Sequence, residues 1–288
     1  MKEIILLNGG LGNQMFQYAF YLAKKKKNMQ VFLNNYYLLR VKCHNGYELE
    51  KLFGIQPDNS SKMAPVLRKL LIFKNIKPWK TISKTLLRLL HIFGLKYVEY
   101  NYTQGRDPLA VRSGWGLVFY GGVWANEIYF SEIEREIREI YTFNRQQLSP
   151  HSVTILEKIK TSESVSIHVR RGDFITDGRE IYGSEYYEEA VRYAMKNIPD
   201  TLTFFVFSDE PDWAEENLKI PCETYFFRNR RTEDAWQDMY LMSKCKHNII
   251  TNSTFSWWAA WLNDNNNKVV IAPKQSNDPV IPRKWIKI

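Results

Sequence analysis

Cysteine is scarce in this chain of 288 residues, which contains Cys43, Cys222 and Cys245 alone. An odd number at such wide spacing predicts neither a disulfide framework nor a zinc site, and a reducing cytoplasm is its simplest interpretation. We expect no secretory leader, because Met1 and two charged residues lead directly into a short apolar run at 4–7. No apolar stretch approaches the roughly 20 residues of a membrane span. The sequence therefore predicts a soluble or peripheral protein.

Metal-binding patterns are also missing from the sequence. It contains no Asp-x-Asp, no His-x-x-x-His and no clustered cysteine and histidine. We accordingly expect no metal and no cofactor. An enzyme that expelled a diphosphate without a metal would have to neutralise it with arginine, backbone amides and hydroxyls.

Acidic residues are absent from the segment 60–98, although nine lysines and arginines occur there. These nine charges equal the net charge of +9, and they are interleaved with leucine, isoleucine and phenylalanine. Such a pattern is typical of a surface that contacts an anionic membrane, which would bring a cytoplasmic protein to the inner face of that membrane. A solvated helical insertion with no partner is the alternative. We expect no nucleic-acid partner, because the excess charge lies in one segment without a recognisable binding motif.

Strand and helix patterns alternate along the chain. A strand at 4–7, a helix at 13–27 and a strand at 30–33 begin an α/β half, and 36–115 is predicted to be irregular. After Ser149-Pro150 the alternation becomes regular and predicts a parallel sheet covered on both faces. We therefore predict two Rossmann-like α/β halves, 1–150 and 151–288, that face a central cleft. A ligand would lie there, at the carboxyl ends of the strands.

A glycine-rich turn at 9–12 joins the first strand to the first helix. Backbone N–H groups at such a helix start attract phosphate, which makes Gly12 a candidate ligand. The turn is not a dinucleotide fingerprint, because Met15 stands at the third glycine position. The alternative is a tight turn that needs glycine for backbone reasons alone, and spacing does not separate the two.

The run 168–173, His-Val-Arg-Arg-Gly-Asp, ends a predicted strand. Alternation along the strand turns His168 and Arg170 to the same side. The planar guanidinium of arginine binds two oxygens of a pyrophosphate at once. Asp173 would orient one of the arginines or cap the next turn. The alternative is a structural Arg–Asp ion pair beside a core histidine.

Three further sites lie downstream. Asp209 closes the next strand in Phe-Ser-Asp-Glu, and Asp238 falls on a helix. Hydroxyls then gather where a strand meets a helix, and there they could bind phosphate or cap the helix. These hydroxyls belong to Ser253, Thr254 and Ser256. We predict that the neighbouring tryptophans 257, 258 and 261 belong to the core.

Four collinear motifs resemble glycosyltransferase family 11, the bacterial and animal α-1,2-fucosyltransferases. They are GGLGNQMFQYAF at 9–20, HVRRGDF at 168–174, FSDE at 207–210 and NSTFSWWAAWL at 252–262. The resemblance covers most of the chain. It implies a GT-B fold, GDP-fucose as the donor, no metal, and inversion from a β-linked donor to an α-linked product.

The resemblance also implies roles for particular residues. Arg170 is similar to the arginine that binds the diphosphate, and His168 to the residue that contacts the nucleoside. We add Arg171, Asp173, Asp209 and Ser256 as candidate contacts of the donor. Asp238 resembles the carboxylate that reads guanine. Ser253 and Thr254 resemble phosphate ligands, and Asn13 stands where related enzymes have an asparagine at the reaction centre.

The function implied is transfer of L-fucose from GDP-β-L-fucose to the 2-hydroxyl of a terminal β-galactoside in a surface polysaccharide or oligosaccharide. Transfer to another hydroxyl or acceptor is one alternative. A protein that binds glycans or polyanions without catalysis is another. A glycan-binding module would have no use for two arginines at a strand end, and a polyanion-binding protein is disfavoured because the excess charge lies in one segment without a known binding motif. Release of GDP from GDP-fucose would distinguish the enzyme from such a binding protein.

Overall fold

The computed structural model describes residues 2–40, 44–58, 94–99, 116–176, 178–228, 232–274 and 280–288. It divides into two compact units, Met1–Thr142 and Phe143–Ile288. The basic residues of 60–98, apart from Lys96, fall outside the described ranges, so both interpretations of that segment stay open. Among the described residues, no helix has the length and apolar character needed to cross a membrane.

The first unit is built on a parallel four-stranded sheet in the order β2-β1-β4-β3. Its strands are β1 (Lys2–Leu6), β2 (Val31–Asn34), β3 (Leu95–Glu99) and β4 (Leu117–Gly121). Its helices are α1 (Leu11–Lys27), α2 (Tyr36–Arg40), α3 (Leu49–Phe53) and α4 (Glu134–Ile140). Buried aromatic rings pack between α1 and the sheet; the Phe20 ring, for example, stacks on Trp124 with centroids 4.5 Å apart.

Two fully buried glutamines of α1 tie the neighbouring loops together. Gln14 donates to the carbonyls of Gly9 and Gly46 at 2.9 and 2.8 Å and accepts the backbone N–H of Glu48. One turn further on, Gln17 accepts the N–H of Asn8 at 3.0 Å and donates to the carbonyl of Gly122 at 3.0 Å. These amides satisfy backbone groups that no strand or helix pairs, so they fix the loops after β1 and β4.

The second unit is built on a parallel six-stranded sheet in the order β10-β9-β8-β5-β6-β7. Its strands are β5 (Glu163–Val169), β6 (Leu202–Ser208), β7 (Thr224–Phe227), β8 (His247–Ile249), β9 (Val270–Ala272) and β10 (Ile286–Lys287). Its helices are α5 (Pro150–Lys160), α6 (Gly172–Thr176), α7 (Ser184–Asn197), α8 (Pro211–Asn217), α9 (Trp236–Lys244) and α10 (Thr254–Leu262).

The strand order of the second unit is that of a Rossmann fold, with two strands wound outward from each member of the central pair β8 and β5. The winding direction reverses between β5 and β8, which pair side by side. The turn that follows β5 and the turn that follows β8 therefore open next to each other at the carboxyl edge. A ligand of an open α/β sheet binds at this switch point.

The predicted fold class, α/β of GT-B type with Rossmann-like halves, is confirmed. The predicted tryptophans 257, 258 and 261 are buried, as core residues should be. The strands and helices of the second unit lie close to their predicted positions, because each carries a periodic apolar face. The order of strands and helices in this unit could therefore be predicted from the local sequence.

Several local details differ from the prediction. The supposedly irregular 36–115 contains α2, α3 and β3, which are too short for a clear period. From the sequence we expect Ser184 to cap the helix that follows it, whereas the structure has Ser184 as the first residue of α7 and Gly183 as the N-cap, without a side-chain bond. The units divide between Thr142 and Phe143, ahead of the boundary we predicted near 150. Phe143 already belongs to the second unit, because its ring stacks on that of Trp236. No local sequence signal reveals this contact.

We expect Gln17→Met to destabilise the protein although the side-chain volume is kept. The substitution leaves the buried N–H of Asn8 and the carbonyl of Gly122 without partners, at a cost of about 1–3 kcal/mol for each group. The free energy of unfolding in urea measures this loss. Gln30→Met, at an exposed glutamine of the same unit, is the control and should change little. Equal stabilities for the two variants would contradict the structural role of Gln17.

Candidate functional site

The candidate site lies at the carboxyl edge of the second unit's sheet, at the ends of β5 and β8. It begins with the turn 170–173, which leaves β5 for α6. Beside it, residues 250–253 lead from β8 into α10. The end of β6 adds a third loop, because Val169 pairs with Ser208 in the last register position of these strands.

Arg170 is the centre of the charged groups at this edge. One guanidinium nitrogen lies 2.9 Å from Asp173 Oδ2, and the other lies 3.2 Å from Asp209 Oδ2. Its side chain is 27% exposed, so the guanidinium is held by two carboxylates and still faces solvent. The ring of Phe174 supports it from one side, with the guanidinium carbon 5.8 Å from the centroid.

Asp209 connects both arginines of the turn. Its Oδ2 contacts the Arg170 guanidinium, and its Oδ1 accepts the backbone N–H of Arg171 at 3.0 Å. Burial raises the pKa of this carboxyl, and the charge of Arg170 opposes that rise. A Cβ on Gly172 would lie 3.1 Å from Asp209 Oδ2, so the glycine leaves room for the carboxylate to reach the turn.

The Arg171 side chain lies apart from that of Arg170. Its Nε bonds Glu210 Oε2 at 3.1 Å, and its guanidinium carbon lies 3.8 Å from the ring centroid of Trp213 on α8. A guanidinium stacked on an aromatic ring and paired with a carboxylate is well fixed. Arg171 therefore supports the turn in the structure, and the ligand contact that we predicted for it stays a prediction.

His168 lies beneath the site, with 5% of its surface exposed. Its Nδ1 is 3.4 Å from the Thr251 hydroxyl, and its ring lies 5.7 Å from that of Phe255. Burial, and then the charge of Arg170, lower the pKa of His168 to about 3. The imidazole is thus neutral at physiological pH and acts as a hydrogen-bonding link between the ends of β5 and β8.

The N-terminus of α10 provides the second half of the edge. The Ser253 hydroxyl caps this helix by accepting the N–H of Phe255 at 3.3 Å, and Thr254 follows as the first helical residue. Free N–H groups at such an end attract anions. Ser256, by contrast, is fully buried and donates to the Ser253 carbonyl at 3.3 Å. Its hydroxyl stabilises the helix, which argues against the ligand contact that we predicted for it.

The remaining predicted residues lie elsewhere. Asp238 is in the first turn of α9, the helix that packs on α10. Gly12 and Asn13 lie in the first turn of α1, in the other unit. A Cβ on Gly9 would come within 2.3 Å of Asn13 Nδ2, and Gly9 has a φ of +75°, so the glycine at 9 allows the amide to fold over the turn.

An acidic residue that we did not predict lies at the start of α1. The buried carboxylate of Glu48 accepts the backbone N–H of Leu11 and the side-chain N–H of Asn45 at 3.2 Å. Burial raises its pKa, while both hydrogen bonds act in the opposite direction. The positive end of α1 is therefore already matched by a carboxylate of the chain itself, which competes with the phosphate-binding role predicted for Gly12.

Comparison with known proteins identifies the class of protein that this fold and site define. The family model of glycosyltransferase family 11 matches residues 3–287. The chain belongs to this family. The resemblance drawn from the four motifs is thereby confirmed.

Two curated relatives show the range of this family. The chain is 33% identical to an alpha-1,2-colitosyltransferase of Escherichia coli over 98% of its own length and 97% of the relative's. It is 25% identical to the human galactoside alpha-(1,2)-fucosyltransferase 1 over 88% of its length and 64% of that protein. Their names share the α-1,2 linkage and differ in the sugar transferred.

A solved structure supports the fold class. The crystal structure of the NodZ alpha-1,6-fucosyltransferase soaked with GDP-fucose superposes with a TM-score of 0.57. The match covers 97% of each chain at 15% sequence identity. At this identity the likeness establishes the fold and leaves the substrates to be argued from the residues.

We expect the His168 imidazole to stay neutral as the pH falls from 8 to about 4, because its folded pKa is about 3 against 6.5 for a free imidazole. Between these values the unfolded chain binds a proton that the folded chain does not, so His168 makes stability fall as the pH falls. NMR of its ring protons, assigned with His168→Gln, measures the titration. Urea-unfolded protein, which should titrate normally, is the control. A midpoint near 6.5 in the folded protein would contradict the buried, neutral assignment.

Proposed function

We propose that this glycosyltransferase transfers L-fucose from GDP-β-L-fucose, with inversion and without a metal, to the 2-hydroxyl of a terminal β-galactoside. The observation that carries the proposal is that Arg170 follows β5 and the start of α10 follows β8, the two strands that pair at the switch point of the second sheet. A guanidinium and a helix N-terminus are the groups that bind the diphosphate of a nucleotide sugar without a cation. The α-1,2 linkage follows the names of both curated relatives.

In the proposed reaction the bond between the sugar and the diphosphate stretches toward an oxocarbenium ion. Negative charge then grows on the leaving GDP, and Arg170 and the start of α10 take up that charge. Both are in place before the reaction, so little reorganisation is needed at the transition state. The acceptor hydroxyl attacks from the opposite face, which inverts the anomeric centre. Ser253 and Thr254 contact the phosphates, and Asp238 reads the guanine.

The Arg170–carboxylate contacts also define how a donor would enter. Asp173 and Asp209 occupy the guanidinium face in the structure. A diphosphate has the same bidentate geometry as a carboxylate and carries more charge, so it can exchange for one of them. Because Asp209 also holds the Arg171 backbone, we assign the exchange to Asp173, and Asp209 keeps the turn in place.

Transfer of colitose is the second candidate function, favoured by the 33% identity with the colitosyltransferase. Colitose is L-fucose without its 3-hydroxyl, so both sugars can occupy the same donor orientation. A pocket that hydrogen-bonds the 3-hydroxyl would reject colitose strongly, whereas one that encloses the ring by apolar contact would discriminate weakly. The two donors therefore have to be compared directly.

The test supplies the full chain with GDP-fucose or GDP-colitose and a panel of β-galactosides that differ in the free hydroxyl groups, and identifies the products by NMR. We expect an α-1,2-fucosyl product, equal turnover with excess EDTA, and no product from a 2-deoxygalactoside. A product formed only from GDP-colitose would show that the donor sugar is colitose rather than L-fucose. A product linked through another hydroxyl would show that the acceptor position differs from the one proposed. Loss of activity in EDTA, with recovery on adding manganese or magnesium, would refute metal independence.

We expect Arg170→Lys to be nearly as damaging as Arg170→Ala, because lysine keeps the charge but cannot bridge two oxygens. The turnover number should fall by a hundredfold to a thousandfold, about 3–4 kcal/mol of transition-state stabilisation. Arg228→Lys is the matched control, since Arg228 is also held by two carboxylates, Asp212 and Glu215, and is more exposed. It should turn over normally.

Melting temperatures of these variants distinguish catalysis from folding. We expect Arg170→Lys to melt close to the unchanged protein, because its side chain is partly exposed. Normal turnover in Arg170→Lys would mean that Arg170 contributes only its positive charge and that its bidentate geometry is not needed. Inactivity that follows a collapsed melting temperature would instead favour a structural ion pair with Asp173.

A further inference from the structure

Two adjacent tyrosines in the first turn of α7 lie under the two halves of the candidate site. The Tyr186 hydroxyl donates to the backbone carbonyl of Ile250, immediately after β8. The Tyr187 side chain is 1% exposed and lies beneath the turn that follows β5. Their rings pack edge to face, 5.1 Å apart. One helical turn thus contacts both strand ends that flank the switch point.

The Tyr186 bond fixes the approach to α10. Ile250 is followed by Thr251, whose hydroxyl faces His168, and then by the helix cap at Ser253. The same loop is held a second time, because Asn252 Nδ2 donates to the carbonyl of Glu180 at 3.0 Å. Glu180, ahead of α7, and Tyr186, in its first turn, therefore fix the position at which α10 begins.

The Tyr187 side chain packs in the core cluster that includes Val169, the last residue of β5. Its hydroxyl makes no hydrogen bond of ordinary geometry within the described residues. Burying a hydroxyl in this way costs free energy that phenylalanine would avoid, so Tyr187 contributes packing beneath the arginine turn rather than a polar contact. Tyr186 is therefore the tyrosine of this pair whose hydroxyl fixes a loop of the site.

We infer that the Tyr186 hydroxyl is a positioning group, which holds the α10 entry loop at the distance from the arginine turn that a nucleoside diphosphate requires. The inference rests on the proposed function for the identity of the ligand. Tyr186 does not need to touch that ligand, because it acts through the Ile250 carbonyl.

The test compares Tyr186→Phe with the unchanged full chain. Tyr193→Phe, on the same helix, is the matched control. Calorimetric titration with GDP is the first measurement. We expect Tyr186→Phe to bind GDP about tenfold more weakly and the control to bind normally. The donor KM should rise in parallel while the acceptor KM stays constant, a division that a general loss of stability would not produce.

Hydrogen exchange of the free protein is the second measurement and needs no ligand. We expect faster exchange at 251–253 in Tyr186→Phe, with the arginine turn and the rest of the sheet unchanged. Exchange and GDP affinity equal to those of the control would overturn the inference, and so would a uniform rise in exchange across the unit. Failure of the unchanged protein to bind GDP would refute the proposed donor instead, and the exchange measurement would still decide the role of Tyr186.

Discussion

The side-by-side pairing of β5 and β8 is the constraint on which the candidate site depends. Because the chain winds outward in both directions from this pair, no crossover helix covers the carboxyl ends of the two strands. The turn that carries Arg170 and the loop that enters α10 therefore meet at one edge, although about 80 residues of chain separate them. His168 and Thr251 join the two loops below the surface.

Charge compensation within the arginine turn explains its local sequence. Two consecutive arginines repel each other unless carboxylates separate them, and here each has its own acidic partner. In the turn after β5, the Arg170 side chain is partly exposed to solvent and the Arg171 side chain stacks on Trp213. The glycine that follows admits Asp209. The motif is thus a small polar unit, in which one arginine is presented and the other anchors the backbone.

Sequence patterns predicted the architecture well because parallel strands and their helices carry strong local signals. The second unit illustrates this, since β5, β6, α7 and α10 are long or apolar enough to be read directly. Residues whose role depends on distant partners could not be predicted. Gln14 and Gln17 resemble ordinary polar positions of a helix until the loops they bind are known. Tyr186 and Glu48 were missed for the same reason. The partner of Tyr186 is Ile250, 64 residues further along the chain, and that of Glu48 is the backbone N–H of Leu11 in the first turn of α1.

The acidic partners of the two arginines have a further consequence for how an anion approaches the site. Asp173, Asp209 and Glu210 outnumber the guanidinium groups that they contact, so the ionised cluster is slightly electronegative. A free arginine pair would draw a distant diphosphate through the solvent, and salt would screen that attraction strongly. If the proposed diphosphate is the ligand, the positive charge of Arg170 acts on it only at contact distance, after a carboxylate has moved aside. Such an arrangement would favour a bidentate anion over small monovalent anions and would slow the encounter.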